Sequence, residues 1–108
     1  MQHKDLALGR WQELSLVEQM ANIGSEVGRT INWKNKDNDK FRDQAFECAL
    51  ELFFLTVKDK KNKTGLKEIL RVRAIFKDYI FGTNEYNFSD DDWQKYFYEF
   101  SYASRKNT

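Results

Sequence analysis

The stretch that most constrains the fold is 38–58, with the sequence NDKFRDQAFECALELFFLTVK. Its apolar residues return at steps of three and four, which is the spacing of one face of an α-helix. A surface helix needs an apolar face only about 100° wide, and the apolar face of this stretch is much wider. Because several neighbours must cover so wide a face, the stretch predicts a central helix of a helical protein.

Residue types at the helix starts support this central helix, which is the second, and two further helices. Ser15 and Glu18 have the spacing of a capping box, which predicts the start of the first helix. Asn38 or Asp39 is placed to cap the second helix, and Thr64 is placed to cap the third. Each of these side chains has an oxygen that accepts a hydrogen bond from a backbone N–H left open at a helix start.

The charges near the C-terminus indicate a fourth helix. Ser89 opens it, the aspartates at 90–92 occupy its first turn, and Arg105 and Lys106 occupy its last turn. This is the charge order that the helix dipole favours. Gly82 is placed where a left-handed residue ends the third helix. The predicted helices span 15–34, 39–58, 65–81 and 89–105, with a possible N-terminal arm at 1–14.

The connections between these helices are short, and roughly 5–8 residues leave no length for a crossover. Consecutive helices are therefore expected to run antiparallel. A chain of 108 residues without proline suits one core and uninterrupted helices. The sequence predicts a single all-α domain over 1–108, an antiparallel up-down-up-down four-helix bundle.

Apolar segments and cysteine content bear on the cellular location of the protein. No apolar run approaches the roughly 18–20 residues of a membrane span, so we expect no membrane partner. The apolar segment near the N-terminus is too short for a secretory signal. The single cysteine, Cys48, has no second thiol for an internal disulfide. A cytoplasmic location is the simplest expectation.

The chain has few residues suited to catalysis. His3 is the only histidine, so zinc sites of Cys and His and di-metal sites with Glu-x-x-His pairs lack ligands. Cys48 has no histidine partner within a predicted helix, and a buried apolar role is the default for it. We expect no catalytic residue, no cofactor and no metal, and hence no enzyme. The alternative is a carboxylate-based metal-binding or enzymatic bundle that uses Glu26, Glu47 or Glu51.

A basic end is predicted where the second and third helices connect. In an antiparallel bundle, the end of the fourth helix lies there as well. The set is Lys58, Lys60, Lys61, Lys63, Lys67, Arg105 and Lys106. Such a cluster can bind the phosphate backbone of RNA or DNA. The favoured explanation is an ordinary lysine-rich loop that charge keeps soluble, and nucleic-acid binding is the alternative. Because the formal net charge is only +1, such binding would have to use this local patch.

Aromatic residues exceed what one bundle seam requires. They make up 16% of the chain, and large apolar side chains left on a surface mark association sites. The rings expected at an interface are Phe46, Phe53, Phe54, Tyr98 and Tyr102. We therefore expect a homo-oligomer, and a different protein partner is also possible.

Small and polar residues mark one side of the first helix. Gly24 and Gly28 lie inside that helix, where each glycine costs about 1 kcal/mol relative to alanine. The favoured explanation is the close approach of a neighbouring helix, and the alternative is a ligand. Arg73 of the third helix is placed to reach Glu26 or a carboxylate of the second helix, and Asn22, Glu26 and Arg73 make a candidate polar pocket.

Two segments, ANIGSEVGR at 21–29 and KFRDQAFECALEL at 40–52, resemble ribosomal-RNA intervening-sequence proteins and the related accessory proteins of diversity-generating retroelements. The resemblance implies a four-helix bundle that often assembles into a ring, commonly a pentamer, with nucleic-acid contact in some members. The matching positions are Asn22, Glu26, Gly28 and Arg29 in the first segment and Phe41, Ala49 and Glu51 in the second. This match adds Arg29 to the candidate pocket. The chain departs from the pattern at Met20 and Val27 and has one extra residue before Glu26.

The leading expectation is a non-enzymatic, self-associating helical bundle that acts as an interaction or adaptor protein. The main alternative is a nucleic-acid-binding bundle that uses the basic end.

Overall fold

The computed structural model describes residues 8–106, and within that range the chain forms helices and turns and no strand. There are five α-helices, and four of them are long. They are α1 (Leu8–Gln12), α2 (Leu16–Asn35), α3 (Asp39–Lys58), α4 (Leu66–Phe81) and α5 (Asp90–Lys106), with a 3₁₀ helix (Lys60–Gly65) between α3 and α4. The all-α prediction is confirmed. Of the predicted arm, residues 8–12 form α1, whereas 1–7, with His3, lie outside the described residues.

Three helices begin where their capping residues predict. The Glu18 N–H donates to Ser15 Oγ at 3.1 Å, and the Ser15 N–H donates to the Glu18 carboxylate at 3.0 Å. Asn38 accepts a hydrogen bond from a backbone N–H in the first turn of α3. Ser89 and Asp92 exchange the same pair of hydrogen bonds at the start of α5. Each cap satisfies backbone donors that have no partner within the helix.

Two predicted helix ends are wrong. Thr64 does not cap α4, because Gly65 occupies the capping position and makes no side-chain hydrogen bond. Gly82 has φ −105°, so it is not left-handed. Its N–H donates to the Asp78 carbonyl at 2.8 Å, and the Asp78 carboxylate accepts from the Thr83 N–H at 3.2 Å. The Asp78 carboxylate thus bonds backbone N–H groups that follow the helix, and the chain leaves α4 without a left-handed residue at position 82.

The core is a cluster of aromatic rings enclosed by the long helices. Phe53 of α3 and Phe76 of α4 are both fully buried, with ring centroids 6.2 Å apart. Trp93 of α5 lies 5.9 Å from Phe76. Phe46 is half-buried and packs 5.1 Å from Phe76. Phe53 was predicted at an oligomer interface, and its burial inside this core corrects that prediction.

Side-chain contacts show which helices are neighbours. Asn35, the last residue of α2, donates to the Asp90 carboxylate at the first residue of α5, at 2.8 Å. The Tyr79 hydroxyl of α4 also donates to Asp90, and the Tyr96 hydroxyl of α5 donates to Glu68 of α4 at 2.8 Å. Asp90 therefore joins three helices at one point. Within the described range, no helix is long and apolar enough to cross a membrane.

Gly24 and Gly28, one turn apart on α2, have opposite surroundings. A Cβ built on Gly24 would lie 2.7 Å from Phe97 Cβ, whereas a Cβ on Gly28 would meet nothing within 4 Å. The predicted close approach of a helix is confirmed at Gly24 and does not hold at Gly28.

The two glycines give opposite predictions for stability. Gly28→Ala is expected to raise the free energy of unfolding by about 1 kcal/mol, because alanine favours a helix. Gly24→Ala makes the same helical gain, but overpacking against Phe97 costs about 1–3 kcal/mol. We therefore expect Gly24→Ala to destabilise the protein. Urea unfolding of both variants checks this, and a shift in the same direction for both would refute it.

Candidate functional site

Large apolar side chains remain on the surface of the described chain. Phe54, Tyr98 and Tyr102, three of the residues predicted for an interface, are each more than half exposed. The other exposed rings in the described part of the chain are Phe41, Phe81 and Tyr86, which are not among the rings predicted for an interface. Exposed rings of this size commonly mark association surfaces.

Two of these exposed rings form a pair on α5. Tyr98 and Tyr102 are one helical turn apart, with ring centroids separated by 6.2 Å. The ammonium of Lys106 lies 5.8 Å from the centre of the Tyr102 ring. On α3, Lys58 lies 5.3 Å from the centre of the Phe54 ring. Lysines beside exposed rings keep these surfaces both apolar and positively charged.

A groove of about 480 Å³ runs between α2 and α5 beside these rings. Gly28 and Asn32 line it from α2, and Gln94, Tyr98 and Arg105 line it from α5. The open space over Gly28 belongs to this groove, because no side chain of the described protein fills it. The sequence indicated small residues on α2, but it did not predict an open groove.

The predicted polar pocket does not form as one cluster. Arg29 pairs with Glu26, one turn earlier on α2, at 2.8 Å. Asn22 is exposed and donates to the Glu18 carbonyl at 2.8 Å. Among the described residues, no hydrogen bond or ion pair links Arg73 of α4 to the others. Glu26 reaches a partner on its own helix, so the expected contact with Arg73 is wrong.

The lysines of the predicted basic end differ in whether they contact other residues of the protein. Lys61 is held in place, since its ammonium contacts the Asp59 carboxylate and donates to the Gln12 carbonyl at 3.1 Å. Lys60, Lys63 and Lys67 are exposed on and just after the 3₁₀ helix. The segment expected to be a loop is therefore a defined helical turn that presents lysines to solvent.

A buried polar network lies beneath this turn. The Gln19 amide donates to the Trp11 carbonyl at 3.0 Å and to the Asp59 carboxylate at 2.9 Å. The Asn62 amide donates to Gln19 Oε1 at 2.8 Å, and Trp11 Nε1 donates to Thr56 Oγ1 at 3.0 Å. All five side chains are buried. The network joins α1, α2, α3 and the 3₁₀ helix, and it fixes the turn that carries the exposed lysines.

The charge of Asp59 depends on this network. Burial raises the pKa of Asp59, but hydrogen bonds from Lys61 and Gln19 outweigh it, so the pKa lies below its usual value. A carboxylate whose pKa is lowered by folding stabilises the protein above its unfolded pKa, which is about 3.9. That stabilisation is lost as the pH falls through the lower pKa of the folded state.

We therefore expect the free energy of unfolding to decrease when the pH is lowered below about 4. Asp59→Asn should make this decrease smaller. Urea unfolding from pH 7 to pH 2.5 measures it. Asp90 is a useful comparison, because the hydrogen bond from Tyr79 lowers its pKa as well. An Asp59→Asn variant with the same acid dependence as the natural chain would show that the network does not carry the effect.

No group of three or more His, Cys, Asp or Glu residues in the described part of the chain is arranged to hold a metal. Cys48 is buried, and burial followed by the charge of Glu26 raises the pKa of its thiol. A raised pKa disfavours the thiolate, which is the reactive form.

Comparisons of this chain with protein-family models, with curated proteins and with solved structures find no match. The resemblance to intervening-sequence proteins therefore stays a prediction.

Proposed function

We propose that this protein is a self-associating interaction protein without enzymatic activity, and that its four long helices form an antiparallel up-down-up-down bundle. The contact between the end of α2 and the start of α5 supports that arrangement. So do the hydrogen bonds that Tyr79 and Tyr96 make between α4 and α5.

The observation that carries the proposal is the half-exposed state of Phe54, Tyr98 and Tyr102. The residues around them supply a dense core without these three rings. Aromatic rings covered by a partner contribute a large apolar area, and tyrosine keeps its hydroxyl at the wet edge of the contact. In this proposal, other copies of the same chain cover these three rings. A ring of copies, as the resemblance implies, and a dimer are both compatible with self-association.

Size-exclusion chromatography with light scattering tests this proposal. The natural chain should have a mass above that of the 13.0 kDa monomer at high concentration. A variant with Phe54, Tyr98 and Tyr102 all changed to serine should remain a monomer, because its apolar surface is removed. Circular dichroism verifies that the variant stays helical. A natural chain that stays monomeric throughout would refute self-association.

A second candidate function is the binding of RNA or DNA at the basic end. The structural support is the buried network, which holds the turn bearing Lys60 and Lys63 in a defined position. A turn whose backbone is already fixed loses less conformational entropy on binding a phosphate backbone than an unstructured loop does.

The nucleic-acid candidate predicts binding that weakens steeply with salt. Lys60→Glu, Lys63→Glu and Lys67→Glu combined should abolish binding of a fluorescent single-stranded RNA or DNA. Lys61 is left unchanged, because its change would disturb Asp59 and the fold. Lys77→Glu, at an exposed position on α4, is the matched control. Absence of binding at low salt, or equal loss in the control, would reject this function.

A further inference from the structure

We propose that a second copy of this chain docks on the outer face of α5, with the two α5 helices antiparallel about a two-fold axis near Tyr98. The inference rests on the self-association proposed above, and it adds the surface, the orientation and the register.

The outer face of α5 is a straight stripe. Asp91, Tyr98 and Arg105 follow one another at intervals of seven residues, and a helix drifts only about 20° over that interval. Tyr102 lies one turn from Tyr98 on the same side. All four are exposed, whereas Trp93, on the opposite side of α5, is buried in the core. The stripe is therefore directed away from the core, and at Tyr98 and Arg105 it borders the groove between α2 and α5.

Asp91 differs from the acidic residues beside it. Asp90 is engaged by Tyr79, and Asp92 caps α5 together with Ser89. Of these three aspartates, Asp91 is the one that lies in the stripe, and its side chain is exposed. Asp91 takes no part in the capping hydrogen bonds between Ser89 and Asp92, so a change at this position leaves both of those bonds in place.

Charge selects the orientation of the second copy. In a parallel pair of α5 helices, Asp91 lies beside Asp91 of the second copy and Arg105 beside Arg105 of the second copy, so like charges repel. In an antiparallel pair, Asp91 faces Arg105 of the second copy. A two-fold interface uses the same patch twice, so this ion pair forms twice.

The sequence spacing then fixes the register. Tyr98 is seven residues from Asp91 and seven from Arg105, so the two-fold axis that aligns both ion pairs passes by Tyr98. The Tyr98 ring consequently packs against Tyr98 of the second copy, and Tyr102 covers the space near Gln94 of the second copy. Protein interfaces generally have aromatic rings at the centre and polar or charged residues at the rim.

The size of the face indicates a reversible dimer. α5 has 17 residues, so it is about 25 Å long, and a helix is about 10 Å wide. A contact of that size lies below the roughly 1,200 Å² that stable specific interfaces bury, in the range of weak and transient association. Dilution should therefore dissociate the dimer, and charge should determine much of its specificity.

Charge reversal provides the test. Asp91→Arg alone and Arg105→Asp alone should each weaken self-association about tenfold or more, because both ion pairs become repulsive. An equimolar mixture of the two variants should associate like the natural chain, since each Arg then faces an Asp. Lys77→Asp, at an exposed position on α4, should have no effect. Sedimentation velocity measures all four samples.

A second variant tests the register independently of charge. Tyr98→Ala should weaken self-association more than Tyr86→Ala, although both rings are about half exposed. If the natural chain associates but neither charge nor Tyr98 matters, or if the mixture fails to restore association, this interface is wrong while self-association stands. If the natural chain is monomeric at every concentration, the proposed function fails too.

Discussion

Replacing Trp11 by alanine is expected to lower the free energy of unfolding by about 3–5 kcal/mol. The Trp11 side chain is fully buried although α1 has only 5 residues. Its removal leaves a cavity beneath α1 and takes away the donor that bonds Thr56. A helix of one turn has little stability of its own, so α1 should separate from the rest of the structure when its anchor is lost.

Gln12→Ala is the matched control for Trp11→Ala, because Gln12 is exposed on the same helix. Urea unfolding followed by circular dichroism gives both values. The control should change stability by less than about 0.5 kcal/mol. If Trp11→Ala also costs less than about 1 kcal/mol, α1 does not contribute to the stability of the bundle.

Gln19→Met is expected to cost at least about 2 kcal/mol, although methionine is of similar size and apolar. The Gln19 amide links Trp11, Asp59 and Asn62, and all of these lie in the interior. Its loss leaves buried polar groups without hydrogen bonds, and each such group costs about 1–3 kcal/mol.

Gln44→Met is the comparison for Gln19→Met, because Gln44 is exposed on α3. It should leave stability within about 0.5 kcal/mol of the natural chain. Thermal unfolding of both variants gives the difference. A Gln19→Met variant as stable as Gln44→Met would mean that the network adds nothing to the fold.

The helix starts that rely on local chemistry were predictable from the sequence. Ser15 with Glu18 and the polar residues before α3 and α5 satisfy backbone donors within one turn, so their partners are visible in the sequence. The failures at Thr64 and Gly82 have a related cause. A 3₁₀ helix occupies the residues directly before α4, and it includes Thr64. After α4, the Asp78 carboxylate accepts a hydrogen bond from the Thr83 N–H.

The buried network was not predictable, because its members are far apart in the sequence. Gln19 and Asp59 are 40 positions apart, and Trp11 and Thr56 are 45 positions apart. Asp59 and Asn62 lie in a lysine-rich segment that has the composition of a solvated loop. Both side chains are nevertheless buried, because each is hydrogen-bonded to Gln19 of α2.

The exposure of the rings predicted for an interface follows the sequence only in part. Phe53 and Phe54 are adjacent, so they point about 100° apart on α3, and the wide apolar pattern could not tell which one faces outward. Phe53 is buried and Phe54 is exposed. On α5 the aromatic excess is clearer, because Trp93 and Phe97 already fill the inner face and leave Tyr98 outside.

Small-angle X-ray scattering over a dilution series tests most directly whether copies of this chain cover the exposed rings. The isolated chain has a Cα radius of gyration of 13.5 Å and a mass of 13.0 kDa. As concentration increases, the mass from forward scattering should rise toward that of a dimer or larger assembly, and the radius should rise with it. A mass and radius that stay at the monomer values at every concentration would contradict the account.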